Sequence, residues 1–316
     1  MKQFIFLVSL FFAVAVQASE SPTAKQLLQN MATAVHQRNF DASFVVMKEK
    51  GMEPYRWLHA LHENQELELL SLLNGAGLEI VRVDDKVTYF EPQSAPYSIK
   101  TDTIAGPIPE VLFKDIAVLD QDYDFVLGGK GRIAGRPAQL VRLESKDSGK
   151  YNYWLWIDTE SSLLLKAAYV NQAGELLEQL QLTHISVTPE PAQQLVELLS
   201  KDFPDPVDLQ NVVETDKGTA NWQIDWLPQG FALLKADRHK LDLNNELADY
   251  YLFSDGLVEF SVFVQRPLAG KRPSGALSSG ATTVYVHNSG AFDVSVVGKI
   301  PPQTAKSIAE SVKRAL

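Results

Sequence analysis

Apolar and polar positions alternate with several distinct periods along the chain. Phe4 to Val16 is an almost unbroken apolar run behind Lys2. Leu27, Leu28, Met31 and Val35 then recur at helical spacing and would bury one stripe of a helix ending near Arg38. Ser21-Pro22 reads as its start, with Ser as N-cap and Pro at the first helical position. From Asp41 to Val187 the period shortens to two, in β-rich runs separated by turn residues. Val81–Val83 and Val87–Phe90 flank Asp84-Asp85. Ala138–Leu143 and Tyr151–Ile157 flank Lys146-Asp147-Ser148-Gly149, and Leu163–Val170 and Leu176–Ser186 flank Asn171-Gln172-Ala173-Gly174. This pattern predicts an antiparallel meander. In the run from Tyr151 to Asp158, Tyr151, Tyr153, Leu155 and Ile157 point one way and Trp154 and Trp156 the other. With bulk on both sides, either both faces are covered or one lines a cavity or a partner surface.

A change of composition comes next. Pro189, Pro191, Pro204 and Pro206, then Asp216-Lys217-Gly218, bracket a short helical stretch near Gln193 to Leu199 and read as a connection between domains. Beyond it, strand-like runs occur at Tyr250–Phe253, Val258–Gln265, Thr282–His287 and Phe292–Val297, with a Gly/Ser/Pro-rich loop from Gly270 to Gly280 between the middle two. Pro301-Pro302 opens a last helix whose apolar stripe is Ala305, Ile308, Ala309, Val312 and Leu316. The expected division is 1–18 as an export signal, 19–188 as a large β domain, 189–218 as a linker and 219–316 as a small α+β domain.

Composition narrows the function. With 45% apolar and 22% charged residues over 316 positions the chain has an ordinary globular profile, which excludes disorder as an overall description. It holds no Cys, so thiol catalysis, disulfides, thiolate metal sites and acylated cysteines are excluded. Residues 219–316 carry 10 Lys+Arg and 9 Asp+Glu, so residues 1–218 carry 19 and 30, a net charge of −11. That balance speaks against nucleic acid, which requires a basic footprint. The Lys2 start, the apolar run and the small residues at Val16-Gln17-Ala18 read as a cleavable leader cut after Ala18, with a periplasmic destination.

Catalytic patterns are sparse. His59 and His62 are the one close histidine pair, and a shared metal would require a helix there. His36, His184, His239 and His287 stand alone and read as structural or solvated. Gly128-Gly129-Lys130-Gly131 lacks the ending of a phosphate loop and reads as a hairpin turn. Gly-x-Ser-x-Gly and Ser-x-x-Lys are absent, and carboxylate groups such as Asp120, Asp122 and Asp124 or Asp158 and Glu160 read as solvated faces. The residues call for neither a cofactor nor a metal, and the reading is a binding protein rather than an enzyme.

Several runs stand in order along nearly the whole mature chain: Tyr89-Phe90-Glu91-Pro92, Tyr123-Asp124-Phe125, Trp156-Ile157-Asp158-Thr159-Glu160-Ser161 and Gly174-Glu175-Leu176-Leu177-Glu178-Gln179, then Trp226-Leu227-Pro228-Gln229-Gly230-Phe231, Leu252-Phe253-Ser254-Asp255-Gly256-Leu257, and Val297 to Lys306. Together they resemble the RseB/MucB family of periplasmic negative regulators of the sigma-E envelope-stress pathway. The resemblance implies an α+β protein of two domains. The first would be a LolA/LolB-like half-open antiparallel β-barrel with helices, and the second smaller. It further implies binding to the periplasmic region of an RseA/MucA-like membrane-spanning anti-sigma factor, protection of that partner from regulated proteolysis, and release by lipid-type signals such as lipopolysaccharide or acyl chains. Lys299 departs from it, standing where an acidic residue is expected.

A curved sheet with an apolar concave face can hold acyl chains. The candidate cleft residues are Phe44, Val46, Trp57, Leu67, Leu69, Ile80, Tyr89, Tyr153 and Leu155, with ordinary core as the competing reading for each. The rival function is a soluble periplasmic carrier of lipoproteins or lipids, and an exported hydrolase comes third. Partner-contact residues are not legible in the sequence, and a homo-oligomer is left open.

Overall fold

A computed structural model describes residues 21–49, 51–75, 77–104, 106–207, 221–240, 247–267 and 273–315. The leader, the Asp216-Lys217-Gly218 end of the connection and Leu316 lie outside the described residues. Helix α1 (Ala24–Gln37) is capped by Thr23 rather than Ser21. Thr23 Oγ1 accepts from the Gln26 backbone N–H and the Gln26 side chain accepts from the Thr23 N–H, a reciprocal box that fixes the start two residues later than Ser-Pro suggests. Leu28, Met31 and Val35 are buried.

Eleven antiparallel strands come after it: β1 (Asn39–Lys48), β2 (Gly51–His62), β3 (Gln65–Leu72), β4 (Leu78–Val83), β5 (Lys86–Phe90), β6 (Tyr97–Lys100), β7 (Tyr123–Ile133), β8 (Arg136–Ser145), β9 (Asn152–Asp158), β10 (Leu164–Val170) and β11 (Leu176–Thr188). They form one open sheet in the order β6-β5-β4-β3-β2-β1-β11-β10-β9-β8-β7, two meanders joined where β1 pairs with β11. The expected turns at Asp84-Asp85, Lys146–Gly149 and Asn171–Gly174 fall between strands. Gly128-Gly129-Lys130-Gly131 is not a hairpin turn. It lies inside β7 at a register irregularity between Leu127 and Lys130, where a Cβ on Gly128 would come within 2.6 Å of the Leu140 side chain. The hairpin turns instead at Ala134 and Gly135, both with positive φ.

Between β6 and β7 the chain crosses the concave side through residues 101–104 and 106–122, with short 3₁₀ turns at Glu110–Phe113 and Ile116–Leu119. On the convex side, α2 (Gln193–Val196) and the 3₁₀ turn after it lay Leu195 and Leu198 over Leu58, Ala60, Leu67, Leu69 and Val81. Phe203 meets Phe90, and Val207 N–H donates to Ser98 O, so the connection is docked on the sheet through Val207. The outward Trp154 and Trp156 contact each other and are covered by Arg142 and Lys166, whose cations lie 6.0 and 4.7 Å from the ring centres.

The C-terminal domain is a six-stranded sheet, β13-β14-β15-β18-β17-β16, built from β13 (Ala232–Lys240), β14 (Leu247–Ser254), β15 (Glu259–Gln265), β16 (Gly275–Ser279), β17 (Thr282–Asn288) and β18 (Asp293–Gly298). Helix α3 (Pro302–Glu310) packs on it, and β12 (Trp222–Ile224) pairs with β19 (Val312–Arg314). Two expectations are corrected. β16 occupies part of the stretch read as a loop, and Val312 belongs to β19, because the helix ends at Glu310. Ala305, Ile308 and Ala309 are buried as expected.

The two domains share one hydrophobic core, in which Leu28, Met31, Tyr123, Tyr153 and Leu155 meet Phe231, Phe253, Val262 and Ile308. Inside the contact, Lys150 Nζ lies 3.0 Å from Asp255 Oδ2, and Tyr123 Oη donates to the same oxygen at 2.7 Å. Asp255 Oδ1 accepts the backbone N–H groups of Leu257 and Val258. Burial pushes the Tyr123 phenol well above its ordinary range, with the Asp255 charge adding to it. Lys299 is drawn inward: its Nζ donates to Glu178 at 2.7 Å and lies 4.6 Å from the Tyr169 ring centre. Lys299 thus ties the domains together. Gly230, at φ +88°, lets the chain pass Asp122 where a Cβ would come within 2.4 Å of the carboxyl carbon.

Asp255→Ala leaves a buried Lys150 ammonium without its partner. The expected loss is about 3–5 kcal/mol of stability in urea unfolding, against less than about 1 kcal/mol for removing the exposed Lys48–Glu53 pair.

Candidate functional site

Strand alternation decides what faces the hollow. β1 turns Phe40, Ala42, Phe44 and Val46 inward, β2 brings Tyr55, Trp57 and His59, and β4 and β5 bring Ile80, Arg82, Val87 and Tyr89. The mouth is covered by Val35 and His36 of α1 and by Ile104, Pro107, Ile108 and Phe113 of the crossing segment. Two cavities of about 50 and 20 Å³ remain, both lined by Val35, Phe44, Trp57, Ile108 and Phe113. At roughly 10–15 Å³ per water-sized group, they hold a handful of such groups at most.

The predicted cleft residues separate into three sets. Phe44, Val46, Trp57, Ile80 and Tyr89 gather around the hollow. Leu67 and Leu69 are on the opposite face, under Leu195 and Leu198. Tyr153 and Leu155 belong to the core shared with the C-terminal domain. The reason is the register of β3: its Glu-Leu-Glu-Leu run turns the leucines to the convex side and sends Glu66, Glu68 and Leu70 into the hollow.

A polar network therefore sits within an apolar hollow. Arg82 Nη2 donates to Glu66 Oε2 at 2.8 Å and Nη1 to Glu68 Oε1 at 2.5 Å, while Trp57 Nε1 donates to Glu68 Oε2 at 2.7 Å. His59 spans the Arg38 carbonyl oxygen and Glu66 Oε1 at 2.7 and 3.0 Å. His36 spans Glu66 Oε1 at 2.6 Å and the Phe113 carbonyl oxygen at 2.8 Å. Burial alone would raise the Glu66 carboxyl, but donors from His36, His59 and Arg82 outweigh it and hold it far below the usual range. His59 and His62 lie on strand β2, where residues three apart point to opposite faces, so the helix that a shared metal would require does not form.

The sequence reading missed His36, Glu66, Glu68 and Arg82 as members of one cluster. A signal was present: His59, Glu68 and Arg82 occupy one cross-strand row, His59 opposite Glu68 and Glu68 opposite Arg82. An acidic side chain set between an imidazole and a guanidinium across three strands marks a paired interior row.

A second, wider cleft of about 680 Å³ lies between the crossing segment and the C-terminal domain. Glu110, Lys114 and Asp115 line one side, and Leu257, Val258, Glu259 and Lys299 the other. Burial, with the Glu110 charge opposite, raises the Glu259 carboxyl. Ile104, Gly106, Pro107, Ile108 and Glu110 border both spaces.

Models of the MucB/RseB N-terminal domain and C-terminal domain match residues 23–202 and 216–313. The chain belongs to the MucB/RseB family. Within it, the chain is 32% identical to the sigma-E factor regulatory protein RseB of Escherichia coli K12 over 99% of this chain and 98% of that one. It is 28% identical to the sigma factor AlgU regulatory protein MucB of Pseudomonas aeruginosa over 95% of this chain and 94% of that one. Among solved MucB structures, the P. aeruginosa MucA/MucB complex has a TM-score of 0.74 at 27% identity, covering 93% of this chain and 99% of that chain. Another MucB crystal structure scores 0.59 at 26% identity, covering 92% and 98%. The half-open sheet with a smaller C-terminal sheet domain is the fold expected of a MucB/RseB protein. Among the described residues no helix is long and apolar enough to cross a membrane.

Removing the Glu66 carboxylate strands Arg82 and His59, so Glu66→Ala lowers stability by about 3–5 kcal/mol in urea at neutral pH. A carboxylate held low in the fold stabilises above its unfolded value of 4.5 and loses that contribution on acidification. The parent chain therefore weakens as pH falls below 4.5, and Glu66→Gln flattens that part of the stability profile.

Proposed function

We propose that this MucB/RseB-family chain is a periplasmic sensor that holds the periplasmic region of a membrane-spanning anti-sigma factor. It shields that partner from regulated proteolysis and lets go when a lipid-type product of envelope damage enters the hollow. The observation that carries the reading is the common wall: Ile104, Gly106, Pro107, Ile108 and Glu110 border both the hollow and the interdomain cleft. An acyl chain is too large for cavities of about 50 and 20 Å³, so its entry displaces Ile104 or Ile108, and the same displacement reshapes the cleft. The partner segment is placed in that cleft, where a change in the wall reaches it directly.

Two findings from relatives support this. MucB has been crystallised with MucA. The TM-scores of 0.74 and 0.59 at nearly equal identity and coverage agree with a family whose members adopt more than one arrangement. The energetics are adequate. Moving a bound population from mostly held to mostly free takes about 5.5 kcal/mol of differential affinity. At about 0.8 kcal/mol per buried methylene this is about seven methylenes, fewer than one fatty-acyl chain contains. The C-terminal domain, packed into the shared core, favours a regulator over a carrier, which has no evident use for it.

Lipid A or a lipopeptide titrated into the complex of mature protein and anti-sigma segment is expected to weaken partner binding at least about tenfold, read by fluorescence anisotropy. Unchanged affinity at saturating lipid overturns the switch. A pull-down from membrane extract distinguishes the rival: retention of one anti-sigma factor fits the regulator, and retention of many lipoproteins fits the carrier.

A further inference from the structure

His36 joins three elements at one point. It stands in the last turn of α1, its Nδ1 is 2.6 Å from Glu66 Oε1 on β3, and its Nε2 is 2.8 Å from the carbonyl oxygen of Phe113 in the crossing segment. Both facing atoms are acceptors only. A neutral imidazole has one N–H and can donate to just one of them, whereas the imidazolium donates to both.

The surroundings act in the same direction. The Glu66 hydrogen bond raises the His36 pKa above its ordinary 6.5, burial opposes this, the Phe113 carbonyl and the Glu66 charge add to the rise, and Arg82 subtracts from it. His59 and Arg82 share the Glu66 carboxylate, and Glu68 lies behind Arg82. From the crossing segment, Glu110 borders the hollow, and Lys114 and Asp115 line a shallow space beside the ring. Lys114 is itself engaged by Asp102 and Glu110. The position near the helix C-terminus also favours a cation.

We propose that His36 is a proton-operated latch on the cover of the hollow. As imidazolium it ties α1, β3 and Phe113 together and keeps the cover shut. When it loses its proton, the Nδ1–H stays with Glu66, the Nε2 lone pair faces the Phe113 oxygen, and the cover loosens. The latch is fully engaged below pH 6.5 and is lost as pH rises through the elevated value of the folded state. The hollow would then admit a lipid chain more readily at neutral and mildly alkaline pH than at acid pH. This rests on the hollow being the lipid site, but the latch itself can be read without any lipid.

The chain has no Cys, so a single introduced thiol reports opening cleanly. Leu70 is buried beneath the cover and lines the same cavity as Gly106, and Leu277 is 78% exposed. The alkylation rate of Leu70→Cys divided by that of Leu277→Cys cancels the general effect of pH on thiols. That ratio is expected to rise roughly tenfold between about pH 5.5 and about pH 8.5, the scale of one charge-assisted hydrogen bond. Adding His36→Gln should abolish the rise. A ratio that does not change with pH, or that rises equally when His36→Gln is added, overturns the latch. In the unaltered chain, ¹⁵N spectra of the His36 ring should show both nitrogens protonated below a midpoint higher than 6.5, and a single neutral tautomer at about pH 6 overturns it independently of any variant's folding. Because no lipid is present, failure here is separable from failure of the lipid reading.

Discussion

An antiparallel sheet that curls through eleven strands without closing has a concave face and no second sheet to bury it. Covering that face falls to α1 and to the crossing between β6 and β7, and much of the molecule depends on how tightly they do so. Their side chains, Val35, Ile104, Ile108 and Phe113, fill the hollow almost completely. The crossing is short of regular structure, consisting of two 3₁₀ turns and connecting backbone. Its polar ties include Lys25 to Asp120, His36 to Phe113 and Lys146 to the Asp120 carbonyl oxygen. Elements with few buried backbone hydrogen bonds are drawn from the less stable end of a protein's local opening spectrum. A cover of this kind suits a molecule that must open without unfolding.

The domain contact is of a different kind. Its centre is a Lys150–Asp255 pair taken almost wholly out of water, closed by Tyr123 and two backbone N–H groups. Such a pair adds little net stability compared with well-packed hydrocarbon, but it is costly to break unevenly. The runs that carried the family resemblance converge here: Tyr123, Glu178, Asp255, Gly230 and Lys299 all lie on this contact. They look unremarkable when read one at a time because each is one half of an interaction whose other half lies more than a hundred residues away.

Much of the fold was legible in the sequence. Period-two runs and turn residues located most strands of the first domain, because the meander pairs neighbours and needs little information from a distance. The Gly128–Gly131 stretch was misread, since glycines that permit a bulge beside Leu140 look like glycines that permit a turn. In the second domain β12, β13, β16 and β19 were missed, and β12, β16 and β19 are short and depend on pairing for their existence. Of the proposed cleft residues, Phe44 and Trp57 line the hollow, and Val46, Ile80 and Tyr89 pack around it. Leu67 and Leu69 do not, because hydrophobicity indicates that a residue is buried and not on which face. The convex cover formed by Leu195 and Leu198 made the outer face as dry as the inner one. The ionic row went unnoticed for the same reason: carboxylates on a strand normally mark its wet side.

In β3 that inverted pattern governs pairing. If the strand paired one position out of step, its leucines would enter the hollow and its glutamates would be driven under α2. Greasy side chains alone would tolerate that error, since both faces are lined with hydrocarbon. Arg82 does not tolerate it, because it would be left buried without an anion while two carboxylates met a dry wall on the other side. The alignment of this strand is therefore enforced by charge, and the guanidinium works as a proofreader of assembly.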